Sequence, residues 1–216
     1  MIALPGLLWA TEVKSPNGNV GVKFSVDGQG RPTYEMTYKG RAVVLPSHLG
    51  LELARDKHAS RGLKETDLMD GFVIKDEQTS TFDETWQPVW GETRDIRNHY
   101  VDYAATLSQP QSQREIVIRF RIYDDGIGFR YEFPQQQELN YFLISEERTE
   151  FRMTGDHTAW WLPGDYDTQE QETQESRLSE IRSRMHDAVN WGNSSVAVFS
   201  ETGVQTSLQM KSQDGL

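Results

Sequence analysis

Carboxylates are concentrated in one stretch of the sequence, TAWWLPGDYDTQEQETQESRLSE, at residues 158–180. Its acidic residues are Asp165, Asp167, Glu170, Glu172, Glu175 and Glu180. A hard cation such as Ca²⁺ takes about six to eight oxygen ligands, and one carboxylate-rich loop can supply several of them. The spacing lacks the central glycine and the distal bidentate glutamate of an EF-hand loop. A complete calcium site from this loop alone is therefore not expected, and a solvated acidic loop is the simpler interpretation.

Paired carboxylates can also act as the acid and the base of glycosidic hydrolysis. That chemistry requires the two groups to lie about 5 to 9.5 Å apart across the substrate, and neighbours on one loop give no reason to expect this geometry. The sequence contains no GxSxG elbow, Walker loop or GxGxxG motif, so acyl transfer and nucleotide chemistry have no local support. The five histidines show no HxxxH or HxH spacing and cysteine is absent, so a zinc site built from local sequence is not predicted.

A second stretch, WQPVWGETRDIRNHY at residues 86–100, combines aromatic and polar side chains. Aromatic rings stack on sugars, and amide, guanidinium and carboxylate groups bond sugar hydroxyls, so this stretch is a candidate carbohydrate-binding surface. Its candidate residues are Trp86, Trp90, Glu92, Arg94, Arg97, Asn98 and His99. In the alternative interpretation, Trp86 and Trp90 are core anchors, and Arg97 pairs with Glu92 to brace a long loop. The sequence alone favours this alternative.

The charge balance argues against several classes of partner. There are 22 Lys and Arg against 33 Asp and Glu, and the net charge of −11 repels phosphate backbones and anionic lipids, so no nucleic-acid partner is expected. No apolar run approaches the roughly 20 residues of a membrane span. The first residues, MIALPGLLWATEV, are similar to the end of a secretory signal peptide but lack a basic n-region. They are either a clipped signal peptide, which implies export, or a first strand.

The elements that position these residues are predicted to be β-strands. Apolar and polar residues alternate in short segments bounded by turn residues, which is typical of antiparallel hairpins with one buried face. The clearest predicted strands are 20–26, 33–38, 115–123 and 128–133, and only residues 175–185, ESRLSEIRSRM, have a weak helical pattern. Regularly spaced strands with glycine-rich turns predict a single all-β domain, a β-sandwich.

Five ordered segments carry a family resemblance. They are VKSPNGNVGVKFSVDGQGRPTYEMTYKGRAVVLPSHLGLEL, WQPVWGETRDIRNHY, DGIGFRYEFP, ISEERTEFRMTGDHTAWWLPGDYDTQE and SLQMKSQDGL. Together they resemble the N-terminal part of glycoside hydrolase family 97, the Bacteroides-type α-glucosidases and α-galactosidases, from about Glu12 to Leu216.

The resemblance implies a fold and a place in a longer enzyme. It implies an all-β super-sandwich of galactose-mutarotase type, mostly antiparallel with little helix, over residues 12–216, preceded by residues 1–11 as a signal remnant or first strand. The family continues into a catalytic (β/α)8 barrel and a small C-terminal β-domain, so we expect the chain to be truncated after Leu216. The resemblance further implies a calcium-dependent, exo-acting α-glycosidase that is periplasmic or secreted. No catalytic residue is expected in this chain, which alone should be inactive.

The resemblance places one metal ligand on this chain. In the family a segment of the form WW-P-DYD-x-x-E supplies a glutamate that binds calcium beside the catalytic carboxylates of the barrel. The pattern places that ligand at Glu170, with Glu172 as the alternative because glutamines flank Glu170 where the family more often has an aromatic residue. We expect Trp160 and Trp161 to anchor the loop, Asp165 and Asp167 to shape its turn, and the barrel and an α-linked oligosaccharide to be the partners.

Two other functions are compatible with parts of the sequence. The first is a stand-alone carbohydrate-binding module that uses the surface of residues 86–100. The second is a mutarotase-like epimerase, which shares the sandwich and needs a histidine base facing a glutamate acid. His99 and Glu92 are the local pair for that chemistry. The sequence leaves open the choice between glucoside and galactoside, the stereochemical outcome and the oligomeric state.

Overall fold

The computed structural model of the chain describes residues 10–54, 67–165, 170–189 and 202–212. The chain forms two compact units, Met1–Arg152 and Met153–Leu216. Every pairing between the strands of these ranges is antiparallel. The fold of the described residues is therefore all-β with one short α-helix, and the prediction from the alternating sequence pattern is confirmed.

The first unit consists of two four-stranded sheets and a short strand pair. Its strands are β1 (Thr11–Lys14), β2 (Val20–Val26), β3 (Pro32–Tyr38), β4 (Arg41–His48), β5 (Leu51–Leu53), β6 (Val73–Trp86), β7 (Ile96–Gln109), β8 (Arg114–Tyr123), β9 (Gly126–Glu132) and β10 (Ile144–Glu147). One sheet has the order β1-β2-β3-β4, the other has the order β6-β7-β8-β9, and β5 pairs with β10. Each four-stranded sheet is thus a meander whose neighbours in space are neighbours in sequence.

Turn residues set the register of the first meander. The Asp27 carboxylate accepts hydrogen bonds from the backbone N–H of Gln29 at 2.8 Å and of Arg31 at 3.0 Å, which closes the turn between β2 and β3. Between β3 and β4, Lys39 and Gly40 both have positive φ, 49° and 77°. A two-residue hairpin loop with positive φ at both positions matches the right-handed twist of the flanking strands.

The core of the first unit lies between the two four-stranded sheets. Ile116, Ile118, Phe120 and Ile122 on β8 alternate with Val117, Arg119 and Arg121 and are at most 1% exposed. They meet Phe24 of β2, whose ring centroid lies 6.0 Å from that of Phe120. The unit is a β-sandwich, and each fully buried side chain of this size contributes about 1.5–3 kcal/mol to folding relative to an exposed one.

The second unit carries the acidic stretch. It contains β11 (Thr158–Trp161), β12 (Gln174–Arg177), a 3-10 turn (Leu178–Glu180), the helix α1 (Ile181–Ala188) and β13 (Gln209–Lys211), with sheet order β12-β11-β13. The helix predicted over residues 175–185 begins later, at Ile181, because residues 174–177 pair with β11. Sheet pairing outweighs the weak helical preference of the segment's first residues. No helix in the described ranges is long and apolar enough to cross a membrane.

Candidate functional site

Trp161 anchors the acidic loop, which connects β11 to β12, in the core of the second unit. Its side chain is 1% exposed and lies in one cluster with Ala159, Ile181 and Met185. The indole N–H donates a 2.9 Å hydrogen bond to the Ser176 hydroxyl on β12. A buried indole whose N–H has found its partner fixes both ring position and orientation. The last residue of β11 is thereby fixed immediately before the loop begins.

A buried polar contact closes the base of the loop. Gln171 donates a 3.1 Å hydrogen bond from its side-chain amide to the Asp165 carboxylate, and both residues are 8% exposed. Buried carboxylates are costly unless they accept hydrogen bonds, so this pair favours one position of the two loop ends. Residues 166–169, which include the predicted turn residue Asp167, lie outside the described residues. Asp165 therefore has a structural role at the loop base.

A second chain segment supports the loop from its start. The Gly164 N–H donates to the Gly203 carbonyl at 2.7 Å, and the Gln205 N–H donates to the Leu162 carbonyl at 3.0 Å. The Gln205 side chain adds a 3.0 Å bond to the Pro163 carbonyl. These three bonds hold residues 162–164 as a short extended segment.

The glutamates of the stretch divide into two groups. Glu175 accepts a 3.2 Å bond from the Trp160 indole. Glu180 accepts the backbone N–H of Arg177 at 3.0 Å and lies 3.3 Å from the Arg184 guanidinium. These two carboxylates thus support local structure. Glu170 and Glu172, the two residues named as candidate calcium ligands, are both exposed.

The described residues contain no group of three or more His, Cys, Asp or Glu that could hold a metal ion. As a hard oxygen donor, the Glu170 carboxylate fits calcium as one ligand out of the about six to eight that the ion takes. If the chain takes part in a calcium site, most of the ligands have to come from elsewhere.

A cleft of about 250 Å³ opens beside the loop. It is lined by Trp160, Trp161, Leu162, Thr173, Gln205, Thr206, Ser207 and Gln209. The lining combines an aromatic wall with amide and hydroxyl groups, the composition of sites for polar, uncharged ligands.

The candidate sugar-binding stretch lies on a long hairpin of the first unit. β6 and β7 each contain 14 residues, but β7 pairs with β8 only from Val101 onward. Within the described residues, Ile96–Tyr100 pair with Phe82–Trp86 alone. We call these two segments, with the connecting residues 87–95, the ribbon.

The interpretation of the ribbon tryptophans as core anchors is wrong. Trp86 is 47% exposed and Trp90 is 87% exposed. The interpretation that Arg97 pairs with Glu92 is also wrong, because the Arg97 guanidinium binds Asp83 on the facing strand through two bonds of 2.8 and 2.7 Å. In the cross-strand register, Asp83 is opposite His99 and Arg97 is opposite Thr85. Asp83 and Arg97 are therefore diagonal neighbours on the same face of the ribbon. The carbohydrate-binding and epimerase hypotheses, including the pair His99 and Glu92, stay predictions.

The two faces of the ribbon have different chemistry. One face carries Asp83, Thr85, Arg97 and His99. The other carries the apolar side chains of Phe82, Trp86, Ile96 and Tyr100 together with Glu84 and Asn98, and the Asn98 amide donates a 3.4 Å hydrogen bond to the Glu84 carboxylate. On the second face the Tyr100 ring is stacked on Phe82 at 5.1 Å and lies 5.1 Å from Tyr123. The Arg121 guanidinium covers the same ring at 4.7 Å. The sequence-based prediction missed Phe82 and Tyr123, although their alternation with polar residues was a usable signal.

An arginine-lined groove of about 200 Å³ lies on the outer face of the second sheet, along β8 and β9. Arg119 binds Glu132 at 2.7 Å and also pairs with Asp102. Hydrogen bonding from Arg119 lowers the pKa of Glu132 below its ordinary value. Arg130 also pairs with Glu132, at 2.6 Å. The groove is thus a network of ion pairs on the sheet surface.

Comparison with known proteins connects this architecture to one family. A family model described as "Glycosyl-hydrolase 97 N-terminal" matches residues 13–216. A glycoside hydrolase family 97 enzyme from Pseudoalteromonas sp. strain K8, solved in complex with acarbose, is 29% identical with a TM-score of 0.74 over 95% of this chain. A variant of a family 97 enzyme from the same strain, solved with panose, is 31% identical with a TM-score of 0.67 over 77% of this chain.

The match covers only a part of those enzymes. The chain spans 27% of the length of the acarbose-bound enzyme and 24% of the panose-bound one. A β-arabinopyranosidase shares the fold, with a TM-score of 0.62 at 20% identity over 72% of this chain. The family match over residues 13–216 and the all-β sandwich show that the chain belongs to glycoside hydrolase family 97 and corresponds to the N-terminal domain of its enzymes.

Proposed function

We propose that this chain is the N-terminal domain of a calcium-dependent, exo-acting α-glycosidase, an α-glucosidase or α-galactosidase, whose chemistry is carried by the rest of the enzyme. The two Pseudoalteromonas structures, with acarbose and with panose, support an α-linked oligosaccharide as substrate. The chain covers about a quarter of those enzymes. By itself it is inactive, and the full-length enzyme is exported to the periplasm or the cell surroundings.

The role of this domain is to hold one calcium ligand, Glu170. The observation that carries this proposal is the asymmetry of the loop, whose base is buried while Glu170 is exposed. Gln171, the next residue, is buried and bonds Asp165. The backbone of Glu170 is thus fixed from one side, and its side chain lies on the domain surface. Such a carboxylate is positioned to contribute to a site completed by another part of the protein.

Bound calcium would supply positive charge next to the reacting carboxylates and the sugar hydroxyls. The contribution of this chain is to hold the Glu170 carboxylate in position. Trp161 and the Asp165–Gln171 pair limit the movement of the segment that carries Glu170, which lowers the entropic cost of placing a ligand on the ion. Glu172 lies two residues away on the exposed part of the same segment and is the matched alternative.

The test compares two variants of the full-length enzyme, Glu170→Gln and Glu172→Gln. Each removes one charge from the same exposed segment and keeps the side-chain shape. We expect Glu170→Gln to raise the calcium concentration that gives half-maximal activity on nitrophenyl α-glycosides by at least about tenfold, because loss of a residue that only orients a ligand already costs about 10- to 100-fold in metal affinity. Glu172→Gln should change it by less than about twofold, the effect of a surface charge. Equal calcium dependence of Glu170→Gln and the wild type would contradict the assignment.

A further inference from the structure

The ribbon extends beyond the sandwich without the support that stabilises the rest of its sheet. Five residue pairs, from Phe82 with Tyr100 to Trp86 with Ile96, lie past the last pair of β7 with β8, Val101 with Ile122. They correspond to about 17 Å of two-stranded structure. An isolated two-stranded hairpin is at best marginally stable in water. The ribbon is continuous with its four-stranded sheet, and Tyr123 and Arg121 pack on Tyr100 at its base, so a covering surface would add stability chiefly to the distal pairs.

The aromatic face of the ribbon has the composition of an interface. Phe82 is 38% and Trp86 47% exposed, and the connecting residues add Val89 and Trp90, which are 101% and 87% exposed. Single exposed apolar residues are ordinary, but four large ones on one hairpin are unusual for a surface that stays in water. Trp is also among the residues that dominate binding energy when they are buried in interfaces.

The opposite face of the ribbon is polar and charged. Asp83 and Arg97 form a two-bond ion pair there, and His99 lies 4.0 Å from Asp83. Paired charges of this kind gain little from burial, because desolvation offsets their attraction. The alternation of the two strands thus places the large apolar side chains on one face, beside the Asn98–Glu84 hydrogen bond, and the two-bond ion pair on the other.

We infer that the aromatic face of the ribbon docks on the remainder of the full-length enzyme, against an apolar protein surface. This inference rests on the proposed function only in taking the chain as one part of a longer enzyme. The docking partner is inferred from the length of the relatives. The chain spans 27% of the acarbose-bound family 97 enzyme, so most of such a protein is available to cover the aromatic face. The interface holds the N-terminal domain in a fixed position on the rest of the enzyme.

The absence of cysteine from this chain makes a direct test possible. Glu84→Cys places a thiol on the aromatic face and Thr85→Cys places one on the ionic face of the same strand, one residue away. Both native side chains are exposed. Each full-length variant is treated with N-ethylmaleimide, and labelling at the introduced position is followed over time by mass spectrometry of the corresponding peptide.

We expect the Glu84→Cys thiol to react at least about tenfold more slowly than the Thr85→Cys thiol in the native enzyme, because access then requires opening of the interface. In urea the two rates should become equal. Adding Trp86→Asp to Glu84→Cys should restore fast labelling, because a buried unpaired charge opposes docking.

Three results would overturn the inference. Equal native rates would show that the aromatic face is open. Slow labelling that disappears on dilution would assign the face to a second copy of the chain. Slow labelling that appears only with added maltooligosaccharide would assign it to sugar. The labelling does not depend on calcium or Glu170, so failure of the calcium proposal and failure of this one are separate outcomes.

Discussion

Gln171 bonds Asp165 across the acidic loop, and this buried pair joins the two ends of the segment that carries the candidate calcium ligand. The contact joins residues six positions apart. Hydrogen bonds to charged groups in buried positions contribute more than those between neutral groups, about 1.5–3 kcal/mol. The pair thus connects the stability of the second unit to the placement of Glu170.

The first prediction concerns this pair. Gln171→Leu removes the amide donor and keeps much of the volume, so the free energy of unfolding should fall by about 1–3 kcal/mol, the cost of a lost partner for a buried acceptor. Urea unfolding followed by tryptophan fluorescence measures the change. Gln174→Leu, which removes a 3.2 Å bond to the Glu172 carbonyl at an exposed position, is the control and should cost less than about 1 kcal/mol. Equal losses in both variants would contradict a special role for the buried pair.

The second prediction separates the two adjacent tryptophans. Trp161→Phe removes the donor to Ser176 and opens a small cavity, and we expect a loss of about 1–3 kcal/mol. Trp160→Phe removes only an exposed bond to Glu175 and should cost about 0.5 kcal/mol. A double-mutant cycle with Ser176→Ala should give a coupling of about 0.5–1.5 kcal/mol for Trp161. No coupling with Ser176 would refute the anchoring role of the indole N–H.

The third prediction concerns pH. The pKa of Glu132 is lowered, first by hydrogen bonding from Arg119, so the folded state favours its charged form. The stability from this lowered pKa is present above the unfolded value of about 4.3 and is lost as the pH falls through the lower folded value. Glu132→Gln should therefore be less stable than the wild type at pH 7, and the difference should shrink as the pH falls below the unfolded pKa and through the lowered folded pKa of Glu132.

The measurement is the urea midpoint of each protein between neutral and acidic pH. Glu35→Gln is the control, because Glu35 forms a single 3.1 Å surface pair with Lys23, which is worth about 0–1 kcal/mol. A difference between the wild type and Glu132→Gln that is constant across the pH range would show that the ion pair is not its source.

The fourth prediction compares two phenylalanines of the first unit. Phe120 is fully buried between the sheets, whereas Phe82 is 38% exposed on the ribbon. Phe120→Ala should cost about 3–5 kcal/mol in unfolding free energy, through lost burial and a cavity. In the isolated 216-residue chain, Phe82→Ala should cost about 1 kcal/mol or less, because the ring lies on the surface, stacked on Tyr100, and its loss leaves no enclosed cavity. Urea unfolding of the two variants measures both losses, and similar values would mean that the ribbon face is already packed within this chain.

Most of the sandwich could be predicted from the sequence because its strands have one buried face. The pattern of β8, in which Arg119 and Arg121 alternate with Ile118, Phe120 and Ile122, predicts both the strand and its orientation. The helix was located less well, since residues 174–177 pair with β11, and local propensity does not report a partner from another part of the chain.

The ribbon could not be predicted from residue types. Trp86 and Trp90 have the same composition signal as core residues, and exposure depends on where neighbouring strands end, which local sequence does not report. The partner of Arg97 was missed for the same reason. Arg97 binds Asp83 through the cross-strand register, whereas the predicted pair with Glu92 rests on nearness in sequence. The candidate ligand Glu170 came from family resemblance, because an exposed glutamate on an acidic loop has no local pattern that separates it from Glu172.

β6 is the edge strand of its sheet, and its outer backbone groups have no strand beside them among the described residues. Its first half carries Lys75, Asp76 and Glu77, charges that discourage pairing with a foreign strand. Its second half has Asp83 and Glu84 but no lysine, and it carries the larger exposed apolar side chains, Phe82 and Trp86. Exposed edges with apolar residues are templates for aggregation. When the domain is produced apart from its enzyme, self-association should therefore begin at the distal half of β6, and solubility should improve most from a lysine placed there.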